Sequence, residues 1–131
     1  MYDLSDKELT AVQQLNADYR QAHLVQKIKS TGEICILADE NGPFLMQDSE
    51  NDDEGHSATL LPVWCHPRLA EAFVQGQNLS GLEVKTVPLS VFNDSWRPFL
   101  TQEQILIALL PLPNSDFNVM EGAEFCASCL N

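Results

Sequence analysis

The chain has 131 residues, 44% hydrophobic and 20% charged, the composition of an ordinary folded protein and unlike that of a disordered one. Its 19 acidic and 7 basic residues leave a formal net charge of −12, a field that repels nucleic-acid phosphates and anionic membrane surfaces, so neither is expected as a partner. A chain of this length buries roughly two-thirds of its unfolded surface around one core, so one domain is expected over 1–131, with a helical segment at 1–31 and an α+β region at 32–131.

The opening MYDLSDKELTAVQQL lacks the basic and then apolar stretches of a secretory signal. No window reaches the ~18 consecutive apolar residues of a membrane span. A cytoplasmic location is expected, in which Cys35, Cys65, Cys126 and Cys129 remain thiols.

Ser5-Asp6-Lys7-Glu8 fits a capping box, a hydroxyl followed three residues later by a carboxylate. Leu9, Val12, Leu15, Tyr19, Ala22 and Leu24 recur at helical spacing, with Asn16-Ala17-Asp18 as an interruption. Two helices are expected at about 6–15 and 18–29, the second stopped by Gly32. Ile34 to Leu37 then forms a strand, Asp39-Glu40-Asn41-Gly42 a turn of the Asn-Gly hairpin type, and Phe44 to Gln47 the return strand. After the acidic run DSENDDEG, residues 58–64 make a third strand, and a three-stranded antiparallel meander is the simple reading.

Beyond Trp64 the pattern becomes strand and helix in alternation. A helix is expected at 67–74 with Leu69, Ala70 and Phe73 inward, and a strand at 82–87. A helix at 88–99 presents Leu89, Phe92 and Trp96 on one face. Ile105 to Leu110 reads as a strand covered on both faces. LPNSD makes a turn, and a closing helix is expected at 119–130. The expected class is α+β: a single mixed sheet of about five strands, an antiparallel meander followed by β-α-β-α-β, with helices packed on it. Parallel neighbours in that section would need right-handed crossovers.

Three groups of residues could carry chemistry. LPVWCHPRLAEAF, residues 61–73, places Cys65 beside His66. A nucleophilic thiol needs a base facing it, and successive side chains diverge. Pro67 suits a first helical turn, and the residue before a proline is held extended, so the stretch reads first as a strand-to-helix corner. Such corners are also where α/β proteins bind ligands. Cys126-Ala127-Ser128-Cys129 is a CxxC at the expected C-terminus of a helix, where the dipole disfavours a thiolate. Zinc held by these two with Cys65 and His66 would require the last helix to pack on the corner. Asp48, Glu50, Asp52, Asp53 and Glu54 begin like a calcium loop, yet Asp53 stands where such a loop needs glycine. A solvated loop between strands is expected instead. Trp64 and Trp96 are expected as core anchors whose indole N–H groups reach the surface.

LPVWCHP resembles the LPVWPH-type motif of a bacterial family known as domain of unknown function 2750. Leu61 to Trp64, His66 and Pro67 match it residue by residue, and Cys65 stands in place of its usual proline. GEICILADENGPFLM, VPLSVFNDSWRPFL and ILIALLPLPNSDFNVM resemble further segments of that family, so the resemblance runs from about residue 17. It implies a fold and no activity. The element order is also similar to the N-terminal domain of SseB-type proteins, small bacterial proteins linked to secretion and partner binding.

Together these features point to a non-catalytic protein acting through contact with another protein, basic by charge complementarity, in a regulatory, chaperone-like or toxin-neutralising role. No cofactor and no metal are called for, and homo-oligomerisation is left open. Trp64, His66, Pro67 and Trp96 are the candidate surface. The alternatives are a small-ligand or enzymatic site at the corner Trp64–Pro67, and a zinc or thiol-redox protein.

Overall fold

A computed structural model describes residues 6–40, 42–47, 59–77, 79–112 and 117–130. Ser5 of the capping box, Asn41 of the hairpin turn, the acidic run 48–54 and residues 113–116 of the LPNSD turn lie outside the described residues.

The first helix, α1, covers Asp6–Gln13 and buries Val12. Asn16 does more than interrupt the pattern. Its Oδ1 accepts the Tyr19 N–H at 2.9 Å, satisfying a first-turn donor and starting α2 over Ala17–Thr31. Gly32 ends α2 with φ at 74°, which returns its N–H to the Ile28 carbonyl at 2.7 Å. The buried stripe of α2 is Arg20, Leu24 and Ile28, one residue per turn. Tyr19, expected inward, is 65% exposed.

The sheet region corrects the expectation of one five-stranded sheet. The described residues form two sheets. The first holds β2 (Gly42–Pro43), β1 (Glu33–Asp39) and β5 (Glu83–Pro88) in that order, all antiparallel. The second holds β3 (Met46–Gln47), β4 (Thr59–Val63), β6 (Ile105–Leu109) and β7 (Asn118–Glu121). The expected meander is therefore split: β1–β2 and β3–β4 are antiparallel pairs as read from sequence, but the chain changes sheet between Pro43 and Met46. The expected β-α-β-α-β neighbours also differ. β5 pairs antiparallel with β1, and among the described strands only β4 and β6 run parallel, in register Leu61 to Ile107. β6 is central and buried, matching its apolar run.

The corner helix α3 covers Pro67–Gly76 and buries Leu69, Ala70 and Phe73. After β5 the chain is helical through Gln102 in three consecutive pieces: α4 (Leu89–Val91), a π-helical turn (Phe92–Trp96) and α5 (Arg97–Gln102). Pro98 accounts for the irregular turn: it has no N–H for a carbonyl one turn back, and its ring would crowd that carbonyl. The Arg97 N–H reaches the Phe92 carbonyl instead. The wider turn lays Trp96 against Phe92, centroids 5.7 Å apart and nearly parallel. Phe92 meets Phe125 edge-on on the last helix, α6 (Gly122–Leu130). The expected helix at 119–130 thus begins late, because Val119 to Glu121 pair with β6.

The two sheets meet at one residue pair. Cys35 N–H donates to the Trp64 carbonyl at 2.8 Å, and Trp64 N–H donates to the Cys35 carbonyl at 2.9 Å. Trp64 is fully buried, with its ring 5.3 Å from that of Phe73. Its indole N–H does not reach the surface as expected but donates to the Pro111 carbonyl at 3.0 Å. The neighbouring Leu110 is held at a φ of 48°, a left-handed conformation that costs a leucine about 1–2 kcal/mol. It persists because the Leu110 N–H donates to Val63 and its carbonyl accepts Arg20 Nε at 3.2 Å. Arg20, buried, also donates from Nη1 to the Leu15 carbonyl at 2.7 Å. One apolar cluster takes in Val12 of α1, Leu24 of α2, Trp64 and Phe125.

Trp64→Phe keeps the ring against Phe73 but strands the Pro111 carbonyl. The expected loss is about 1–3 kcal/mol of stability, read as a lower urea midpoint at unchanged slope. A second expectation concerns His23 on α2, whose Nε2 is buried without a hydrogen-bond partner among the described residues. Burial lowers its pKa from 6.5, Lys27 lowers it further, and Glu8 on α1 opposes them. The unfolded chain therefore binds a proton that the native chain resists, and stability falls as pH drops below 6.5 toward the depressed native value. Urea midpoints of wild type and His23→Gln from about pH 8 to pH 5 should converge at high pH in slope and diverge at low pH, the variant lacking this component.

Candidate functional site

The corner forms because β4 ends at Val63 and Pro67, which has no N–H to give a strand ladder, opens a helix three residues after Trp64. His66 holds φ −154° and ψ 144°, the extended geometry imposed before a proline, and serves as N-cap of α3. Its Nδ1 accepts the Arg68 N–H at 3.1 Å, and its carbonyl accepts from Leu69 N–H at 3.1 Å. Proline follows at the first helical position, where its missing donor costs nothing. Asp6 on α1 meets the guanidinium of Arg68, tying the first helix to the third at the surface.

Each candidate residue now has a place. Trp64 lies in the core, and His66 is 9% exposed and engaged as a cap. Pro67 is partly exposed and stands at the end of a groove between α3 and the first sheet. Trp96 lies on the π-helical turn, half-buried against Phe92. Trp64, His66 and Trp96 do not line this groove, so the structure does not assemble the four candidates into one surface.

Cys65 is buried beside the corner. None of the four cysteines is in a disulfide, and all are buried. Burial pushes the Cys35 thiol up to about 12, a hydrogen bond with Thr86 opposing it, and Cys65 and Glu33 adding to the rise. Burial likewise pushes Cys129 up to about 12, with Cys126 adding to it, and raises Cys126 against the pull of Arg97. Among the described residues no three His, Cys, Asp or Glu side chains gather to hold a metal ion, and no helix is long and apolar enough to cross a membrane.

The groove beside α3 has a volume of about 580 Å³. Pro67, Glu71, Val74 and Gln75 form its helical wall, at the spacing of one α-helical stripe. Leu37 of β1, Val84 and Thr86 of β5 and Leu82 form the sheet side. Apolar side chains therefore make much of its surface, and the charged residues lining it are Glu71 and Glu83, the second with its carboxylate paired to Lys85 at 3.2 Å. Sequence reading missed this wall of α3 because the stripe faces away from Leu69 and Phe73. The spacing of Pro67, Glu71, Val74 and Gln75 was the available signal, but nothing local says what stands opposite. A second groove, about 660 Å³, follows the outer side of α2 past Ala22, Val25 and Lys29 to Ser128. It is bounded by helices and has no strand edge along it.

A family model described as "Protein of unknown function (DUF2750)" matches residues 21–128, most of the chain. No curated protein and no solved structure matches it.

The buried thiols give a direct expectation. In native protein at neutral pH, Cys35, Cys126 and Cys129 should stay unreactive toward an aromatic disulfide reagent, and react on adding denaturant. A raised native pKa also means that stability is full below about 9 and is lost as pH rises toward about 12. Rapid labelling of Cys129 in the folded state at neutral pH would contradict this burial.

Proposed function

Because the chain belongs to the DUF2750 family, whose model spans residues 21–128, and that family carries no assigned activity, we propose from the geometry that it acts by binding another protein and catalyses no reaction. The observation that supports this most directly is the groove beside α3, with apolar side chains along it and the carboxylate of Glu71 on its helical wall. A surface of that kind fits a segment that presents apolar side chains next to a basic one. The net charge of −12 extends the same preference over the whole molecule, steering a cationic partner and repelling nucleic acid and anionic lipid. The cytoplasm is the compartment that suits four buried thiols without a disulfide. Regulatory, chaperone-like and toxin-neutralising roles are all forms of this activity.

A second reading is a small-ligand site in the same groove, whose volume lies within the roughly 300–1,000 Å³ of ligand pockets. It differs in what would be recovered from cells.

Capture of the full chain at its native expression level, followed by crosslinking, should recover one protein partner in near-stoichiometric amount. Its retention should weaken several-fold between about 50 and 200 mM salt, as exposed charges are screened. Recovery of no protein, with a small molecule co-purifying instead, would replace the interaction role by the ligand reading.

A further inference from the structure

The hydrogen-bond phase of β1 reveals which backbone groups of β5 point outward. In an antiparallel ladder, alternate residues turn their N–H and C=O to opposite neighbours. Cys35 exchanges both of its backbone bonds with Trp64, and the Leu37 carbonyl accepts from Phe44 at 2.8 Å. Cys35 and Leu37 therefore face away from β5. The residues turned toward β5 are Ile34, Ile36 and Ala38, opposite Val87, Lys85 and Glu83. The Leu89 N–H bond to the Gly32 carbonyl, 2.7 Å, continues the same phase.

It follows that the N–H and C=O of Val84 and Thr86 lie on the outer edge of β5. Pro88 falls in the same phase, where no N–H is needed. Among the described residues β5 has β1 as its one strand neighbour. The side chains of Val84 and Thr86 line the groove under α3. Glu83 and Lys85 alternate with them onto the opposite face, where they pair at 3.2 Å. An open strand edge thus runs along an apolar groove walled by a helix.

We propose that β5 accepts an extended segment of a partner protein as an added strand, lying between β5 and α3, with apolar residues and a basic one on the face it turns to α3. This rests on the proposed interaction role and names its place and mode. Main-chain bonds to Val84 and Thr86 supply the attachment, and alternate side chains of the incoming strand turn toward α3. There they meet Val74 and Leu82, with Glu71 placed for a lysine or arginine. Charge selects the occupant: a second copy brings another −12, whereas a basic residue complements Glu71. Lys85, in mid-strand, guards the edge against like copies.

The probe is a seven-residue peptide with valine at its second and sixth positions, lysine at its fourth and serine at the others, so that one face carries valine, lysine and valine, titrated into the full 131-residue chain and followed by amide NMR to millimolar concentration. Binding should shift the amides of Val84, Thr86 and Glu71 and slow hydrogen exchange at Val84 and Thr86 at least tenfold. The same peptide N-methylated at alternate residues keeps its charge but loses its edge donors, and should bind at least tenfold more weakly. Thr86→Pro, at a position whose N–H faces outward and so is compatible with folding, should lower affinity by a similar factor. Glu71→Lys, on an exposed helical site, tests the charge without touching the edge and should weaken binding several-fold. Equal binding of the methylated peptide, shifts confined to α2 and α6, or no shifts at millimolar peptide would each overturn the proposal. A dimer in sedimentation that Thr86→Pro abolishes would assign the edge to a second copy and also overturn it. Recovery of a cellular partner whose crosslinks map away from α3 and β5 would end this inference while leaving the interaction role standing.

Discussion

The pair of backbone hydrogen bonds between Cys35 and Trp64 holds the two sheets together. Every other strand pairing in the described chain lies within one sheet or the other. Two bonds of ordinary strength, each worth about 1 kcal/mol net, would be a weak seam by themselves. Trp64 makes the seam effective by burying its whole ring against Phe73 and donating its indole N–H to Pro111. The segment leaving β6 is thereby pinned to the end of β4. Leu110 accepts its strained backbone there because Val63 and Arg20 both bond to it. Removing any one of these partners leaves a buried polar group unmet, so they stand or fall together.

The same pair sets the phase of β1. With Cys35 and Leu37 turned toward Trp64 and Phe44, the remaining backbone groups of β1 face β5, and those of Val84 and Thr86 are left outward. The seam that closes the core thus also decides which edge stays open. α3 leaves from the corner next to that seam, so its outer stripe stands over the open strand. The corner at Cys65-His66, which the sequence reads first as a strand-to-helix junction, is a structural pivot. Trp64 is interior, His66 is a cap, and the accessible chemistry lies one helical turn further on, from Pro67 to Gln75.

Much of the fold was legible in the sequence. Pro67 marked the start of α3 and Gly32 the end of α2, because each acts through its own backbone geometry, and Gly42 stands at the start of β2. The apolar run Ile105–Leu109 announced a central strand. The errors lie where distant partners decide. Tyr19 sat at helical spacing yet faces outward, while Arg20 is buried because carbonyls of Leu15 and Leu110 surround it. Val119 to Glu121 look helical alone and become a strand because β6 offers an edge. Trp64 and Trp96 were expected alike, yet Trp64 is fully buried in the seam and Trp96 is half-buried on a π-helical turn.

Of the candidate site, only Pro67 was both named from the sequence and found lining the groove. Glu71, Val74 and Gln75 carry a helical spacing that is visible in the sequence, but a stripe has no meaning until something faces it. The sequence by itself determined the α+β class, the position of most helices and strands, the acidic field and the strand-to-helix corner, all consequences of local geometry or summed charge. Only the tertiary structure decided that the strands divide into two sheets, that Trp64 turns inward, and that β5 presents Val84 and Thr86 at an open edge. Those depend on hydrogen bonds between residues as far apart in the chain as Cys35 and Trp64, and no local pattern encodes which partner a strand will take.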